Sequence, residues 1–166
     1  MAGIPLGYVW QSYALILAAL APYLAITIGY GRALIRARPP VPMRPILVIF
    51  LAPNCLFGIG FGLLGVDWAF SLFYWLANAV ALVLLGLAPW LVKGGWTPIW
   101  ASFTFPLAAF LQLQVLALSR GVGQVAEIGA WAGLGIATPV ILYVVYRTSM
   151  AWVTGELAAR SGAATV

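Results

Sequence analysis

Phe105 lies in the run WASFTFPLAAF, residues 100–110, and the residues around it recur at helical spacing. At about 100° per residue, Pro98, Ala101, Ser102, Ala108, Ala109 and Gln112 fall within about 60° of it. Trp100, Phe103, Leu107, Phe110 and Leu111 fall on the opposite side. One face is therefore small and mildly polar with a large ring at its middle. The other is bulky and suits lipid or outer helices. Two readings of the small face stand side by side. Small residues let helix backbones approach, which makes it a packing face. It is equally the form of a passage wall, with the ring of Phe105 as a hydrophobic constriction. Pro106 adds weight to the second. A proline inside a helix removes a backbone bond and kinks the axis, and in lipid the freed carbonyl needs a partner or a cavity.

Other chemistry is thin. The sequence has no His, three acids, eight Lys/Arg and one Cys. Cys55 alone excludes a disulfide within one chain and any multi-Cys metal site. No HExxH, Ser/His pair or paired carboxylate is present, so an enzyme is not expected, nor a cofactor or metal. The charges sit near the ends of apolar segments. Proton pumps and carboxylate-driven symporters need buried acids or His, which argues against both. Asn54, Asn78, Gln112 and Gln114 are uncharged polar groups within apolar segments. Such groups usually find a partner across a helix interface and less often touch a permeant species. Gln114 points to the bulky side and reads as structural. Pro53, in LAPNCLFGIGFG, repeats the Pro106 theme in an earlier segment. Pro22 and Pro139 interrupt two others, and Pro89 lies near the end of a third. Gly58 and Gly62 form a GxxxG, ordinarily a helix contact. With no preceding strand and no phosphate-binding Lys, this is not a nucleotide loop.

These residues must be positioned by helices in a membrane. The chain is 64% hydrophobic and 7% charged, where a soluble domain carries about 25% charged residues. Lipid is therefore the solvent, and the fold class is all-α, a polytopic membrane protein. Five stretches reach the roughly 20 apolar residues a spanning helix needs: about 9–31, 45–65, 68–92, 97–118 and 125–146. They form a transmembrane domain, 1–155, followed by a flexible cytoplasmic tail, 156–166. Arg32, Arg36, Arg38, Pro39, Pro40 and Arg44 fill the first connection. Short second and fourth connections imply hairpins of the second span with the third and the fourth with the fifth. Eight Trp are enough for interfacial belts. Seven Lys/Arg fall on the side of the first connection, the third and the C-terminus, against Arg120 alone on the other. The positive-inside rule then puts the C-terminus in the cytoplasm and the N-terminus outside, as expected of the second half of a longer chain. The net charge of +5 is a topology signal, and no nucleic-acid partner is expected.

Two motifs carry a resemblance: PVPMRPILVIFLAPNCLFG (40–58) and WLVKGGWTPIWASFTFPLAAF (90–110). Their order and spacing resemble the tellurite-resistance/dicarboxylate transporter family, with its bacterial anion-channel homologues, fungal malate and sulfite transporters and plant guard-cell slow anion channels. The resemblance covers about residues 15–155. It implies roughly ten helices arranged as hairpins around a central pore, in homotrimers with a pore in each subunit. Proline-kinked odd helices line that pore. This chain would hold helices six to ten, with Phe105 at the family's gating position. Pro53, Asn54, Gly58, Ala101, Ser102, Pro106, Ala108, Ala109 and Gln112 would line or kink the pore; Asn54 stands where the family has a second proline. The implied function is transport of small anions or organic acids across a bacterial cytoplasmic (inner) membrane, of the tellurite-resistance, C4-dicarboxylate or anion-channel kind. The expected partners are the lipid bilayer, a small anionic substrate and a chain supplying the N-terminal helices. GIPLG (3–7) also resembles the opening of the family's first helix. The alternative expectation is a truncated or split-gene membrane subunit with no transport activity by itself.

Overall fold

The computed structural model describes residues 8–36 and 39–157, and every regular element among them is a helix. Arg38, the stretch 3–7 and the tail beyond 157 lie outside the described residues. Five helical stretches are long and apolar enough to cross a membrane: Val9–Gly29, Val41–Leu63, Asp67–Gly86, Pro98–Ser119 and Gln124–Val153.

Helix α1, Val9–Arg36, continues past the apolar stretch that the sequence ends near residue 31. Arg is a good helix former, so the helix continues through Arg32 and Arg36, which still lie between the first apolar span, Val9–Gly29, and the second. The second stretch begins as a 3-10 helix, Val41–Phe50, and becomes α2 at Leu51–Leu63. α3 spans Asp67–Gly86, and a separate turn, α4, spans Ala88–Leu91. The fourth stretch repeats the form of the second: a 3-10 segment, Pro98–Phe103, leads into α5, Thr104–Ser119. α6 is Gln124–Val153.

The prolines act differently from the interior breaks that the sequence suggests. Pro53 and Pro106 each fall in the first turn of an α segment, just after its 3-10 portion. Each α segment runs on directly from a 3-10 segment, so the missing proline N–H leaves an upstream carbonyl without its α-helical donor and marks the change of helix type. Pro22 and Pro139 do not interrupt their helices, which stay α on both sides. Pro89 does divide its span, which ends at Gly86 and resumes at Ala88. It has no N–H for Leu85, and it disfavours α geometry at the residue before it.

The stretch Val41–Leu63 is the inner element, 61% buried at its most apolar part against 6% for α1. The rings of Phe57 and Phe61 on α2 lie 5.1 and 5.7 Å from Phe73 on α3. Tyr23 of α1 reaches the same cluster, 5.2 Å from Phe57. On the other flank α2 meets α5 through its glycines. A Cβ on Gly58 would lie 2.9 Å from Leu113 Cδ1, and one on Gly62 would lie 3.0 Å from Leu116 Cδ2. Only a bare backbone admits this approach. α6 lies on α5 and on the 3-10 segment before it, and buries a stripe of mostly small residues, Ala126, Gly133, Ala137, Val144 and Ala151, each one or two turns from the next.

At one end, Arg120 after α5 pairs with Asp67 at the start of α3, donates to Gly62 O at 2.6 Å, and covers the Phe70 ring at 4.8 Å. Asp67 is 81% exposed, so Asp67→Asn is expected to cost under about 1 kcal/mol. Arg120→Ala also strands the Gly62 carbonyl and is expected to cost about 1–2 kcal/mol. Thermal unfolding in detergent micelles compares the two; equal losses would mean that the ion pair alone matters. At the other end, Arg44 covers Trp90 at 4.3 Å and Arg147 covers Trp96 at 4.9 Å. Trp68 stands at the Arg120 end and Trp152 is on the last turn of α6, both over 70% exposed, as interfacial aromatics should be.

Candidate functional site

The small face around Phe105 is divided. Ala101, Phe105, Ala108 and Ala109 were placed together by α-helical spacing, but residues 98–103 are 3-10 turns, and α2 approaches α5 from one side only. Ala101, at the end of the 3-10 segment, and Phe105, Ala108 and Gln112 of α5 form an exposed stripe, with Phe105 58% exposed. Pro106 and Ala109 turn the other way and are buried. Ser102 is half-buried, and its hydroxyl donates to Pro45 O at 2.9 Å, joining the two 3-10 segments. Pro45 and Pro53 both bracket that junction, Pro45 buried and Pro53 half-buried.

Asn54 and Gly58 are enclosed by the chain itself. Asn54 Oδ1 accepts from the Tyr23 hydroxyl at 2.7 Å and its Nδ2 donates to Phe50 O at 2.8 Å. The side chain thus satisfies a carbonyl at the 3-10/α change and ties α1 to α2. Gly58 is filled from both sides by Leu113 and Phe73. The open part of the expected set is therefore Ala101, Phe105, Ala108 and Gln112, and the rest of it holds these four in place. Thr104 Oγ1 donates to Ala101 O at 2.8 Å, which steadies the turn that carries Phe105. Gln112 makes no hydrogen bond among the described residues. The stripe offers one ring, two methyl-sized neighbours and one free amide, with no charge. It suits exclusion and weak dipolar contact, not proton transfer or covalent chemistry.

A second polar group lies on the opposite side of α5 and is closed. Tyr74 Oη donates to Gln114 Oε1 at 3.1 Å, Gln114 Nε2 donates to Asn78 Oδ1 at 2.9 Å, and Asn78 Nδ2 donates to Tyr74 O at 2.8 Å. Gln114 is fully buried. Its structural reading from the bulky side of the wheel fits this position, but its partners were not foreseen. Nor was Gly129, whose Cβ would meet the Gln114 amide at 2.6 Å. The available signal was a second GxxxG, Gly129 with Gly133.

Family models, curated proteins and solved structures give no match. The functional reading therefore rests on the stripe and on the ends of the helices. Among the described residues, no group of three His, Cys, Asp or Glu side chains gathers as a metal site would need. Cys55 is buried among the hydrophobic residues of the core.

Proposed function

We propose that this chain is a transport component of a bacterial cytoplasmic membrane, resembling the tellurite-resistance/dicarboxylate transporter family. In this reading, the hairpins α2–α3 and α5–α6 are part of a larger pore bundle. A small anion or organic acid passes along α5, and Phe105 occludes the path. The observation that carries the reading is the exposed stripe Ala101, Phe105, Ala108 and Gln112, beside the buried face Pro106, Ala109 and Leu113 that α5 turns inward. Small side chains leave room, a single ring closes it, and the absence of charge leaves dehydration as the barrier. The unpaired amide of Gln112 and the backbone dipoles at the 3-10/α junctions give the weak attraction that lets an anion enter and leave.

In this reading further helices, from the same polypeptide or a partner chain, pack on the little-buried α1 and on the open side of α5. A homotrimer with a pore in each subunit follows the resemblance. Among the described residues, Arg44, Lys93 and Arg147 lie at one end and Arg120 alone at the other. That contrast supports a cytoplasmic C-terminus.

The test is flux in liposomes. The assembled protein carrying Phe105→Ala is expected to pass chloride or nitrate about tenfold faster, the effect of lowering a barrier by about 1.4 kcal/mol. Unchanged flux removes the gate. No flux of tellurite, malate, sulfite, chloride or nitrate through the unaltered assembly favours a non-transporting subunit.

A further inference from the structure

α3 and α6 flank an apolar groove of about 580 Å³. Phe103, Leu107 and Phe110 line its floor; Leu82 of α3 and Ile136 of α6 line its walls. The polar side chain that reaches it, Asn78, already has a partner on each polar atom, Tyr74 O and Gln114 Nε2. A hydrated solute gains nothing there, whereas a hydrocarbon chain does. Between Val125 and Val140 the α6 wall runs about 22 Å, at about 1.5 Å per residue. That exceeds one leaflet of a hydrocarbon core about 30 Å thick.

The groove is electrically asymmetric. At one end it is lined by Val92 and Trp100. Lys93 follows Val92 and is exposed. The Trp100 ring lies 5.7 Å from Tyr143, and Arg147 donates to the Tyr143 hydroxyl at 3.5 Å. Among the described residues, neither Lys93 nor Arg147 is paired with a carboxylate. The other end, at Val125, carries the exposed acid Glu127. An amphiphile with a negative head and an apolar tail fits this slot in one direction only.

We propose that the groove holds an acyl chain of an anionic phospholipid from the surrounding bilayer, with its phosphate against Lys93 and Arg147. The assignment is independent of whether the chain transports anything. Native mass spectrometry of the protein released from nanodiscs of equal phosphatidylglycerol and phosphatidylcholine tests it. Retained phosphatidylglycerol is expected to exceed phosphatidylcholine by about 25-fold, and the preference to fall about fivefold for each of Lys93→Gln and Arg147→Gln, the worth of one cation near the surface. Ala132→Phe, which fills the groove, is expected to lower retention of both lipids. Equal retention of the two lipids by the unaltered protein overturns the proposal without reference to any variant. Unchanged retention in all three folded variants overturns it as well. A changed subunit number in Ala132→Phe with lipid retention unaltered would make the groove an interface between copies, and the lipid assignment wrong.

Discussion

Gly129→Val is expected to lower the free energy of unfolding by about 3 kcal/mol, at the upper end of what overpacking costs. A Cβ on Gly129 would lie 2.6 Å from both Cδ and Oε1 of Gln114 and 3.1 Å from its Nε2. An exposed side chain would swing away. Gln114 cannot, because its amide is fixed at both ends, by the Tyr74 hydroxyl and by Asn78 Oδ1. The valine must therefore break this group or push α6 off α5. Unfolding in mixed micelles measures the loss. In a Gln114→Ala background the valine penalty should shrink by more than about 1 kcal/mol, the coupling expected of residues in contact. Additive losses would show that the obstruction lies elsewhere.

Gln114→Leu, close in volume, is expected to cost about 2 kcal/mol. Hydrogen bonds between membrane helices average about 0.6 kcal/mol and reach about 1.7. Gln114 makes two of them, and its loss leaves the Tyr74 hydroxyl without its acceptor at a residue only 1% exposed. A stranded buried hydroxyl costs more than its bond contributed. Tyr74→Phe, which removes that hydroxyl together with its need, is expected to cost only about 0.6 kcal/mol. The same unfolding measurement ranks the two. Equal losses would mean that Gln114 adds nothing beyond one bond, and that its link to Asn78 is idle.

How legible all this was in the sequence depends on what each residue answers to. Composition alone requires lipid, and the five apolar stretches follow from it; their identity as helices is forced by the need of every backbone group for a partner in hydrocarbon. The contact role of Gly58 and Gly62 was legible because a bare backbone has few other uses in a membrane helix. Pro53 and Pro106 were visible as sites of irregularity, but not which kind: a proline in the first turn of a helix and one in the middle look alike until the upstream segment is known to be 3-10. The wheel around Phe105 uses 100° per residue throughout, whereas Ala101 and Ser102 lie in turns of about 120°; Ala101 stays on the Phe105 side and Ser102 turns inward to Pro45. Which half of the small face stays open was beyond periodicity, since it depends on the side from which α2 arrives. The pairings Tyr23 with Asn54, Asp67 with Arg120 and Tyr74 with Gln114 link positions tens of residues apart, and a single sequence gives no measure of such distances.

The 3-10 portions also alter how many residues are needed to cover a given thickness. At about 2.0 Å per residue, the ten residues Val41–Phe50 reach about 20 Å, where an α-helix would reach about 15 Å. With α2 added, the stretch Val41–Leu63 extends about 40 Å, well beyond a hydrocarbon core of about 30 Å. α3 extends about 30 Å beside it, and the α4 turn that follows brings Trp90 against Arg44. A stretch longer than the hydrocarbon must lean or project into the headgroups, and the Arg44–Trp90 contact lies at that end. Rewinding Val41–Phe50 to α would shorten it by about 5 Å, so the thickness of the surrounding lipid bears directly on the backbone form of this segment.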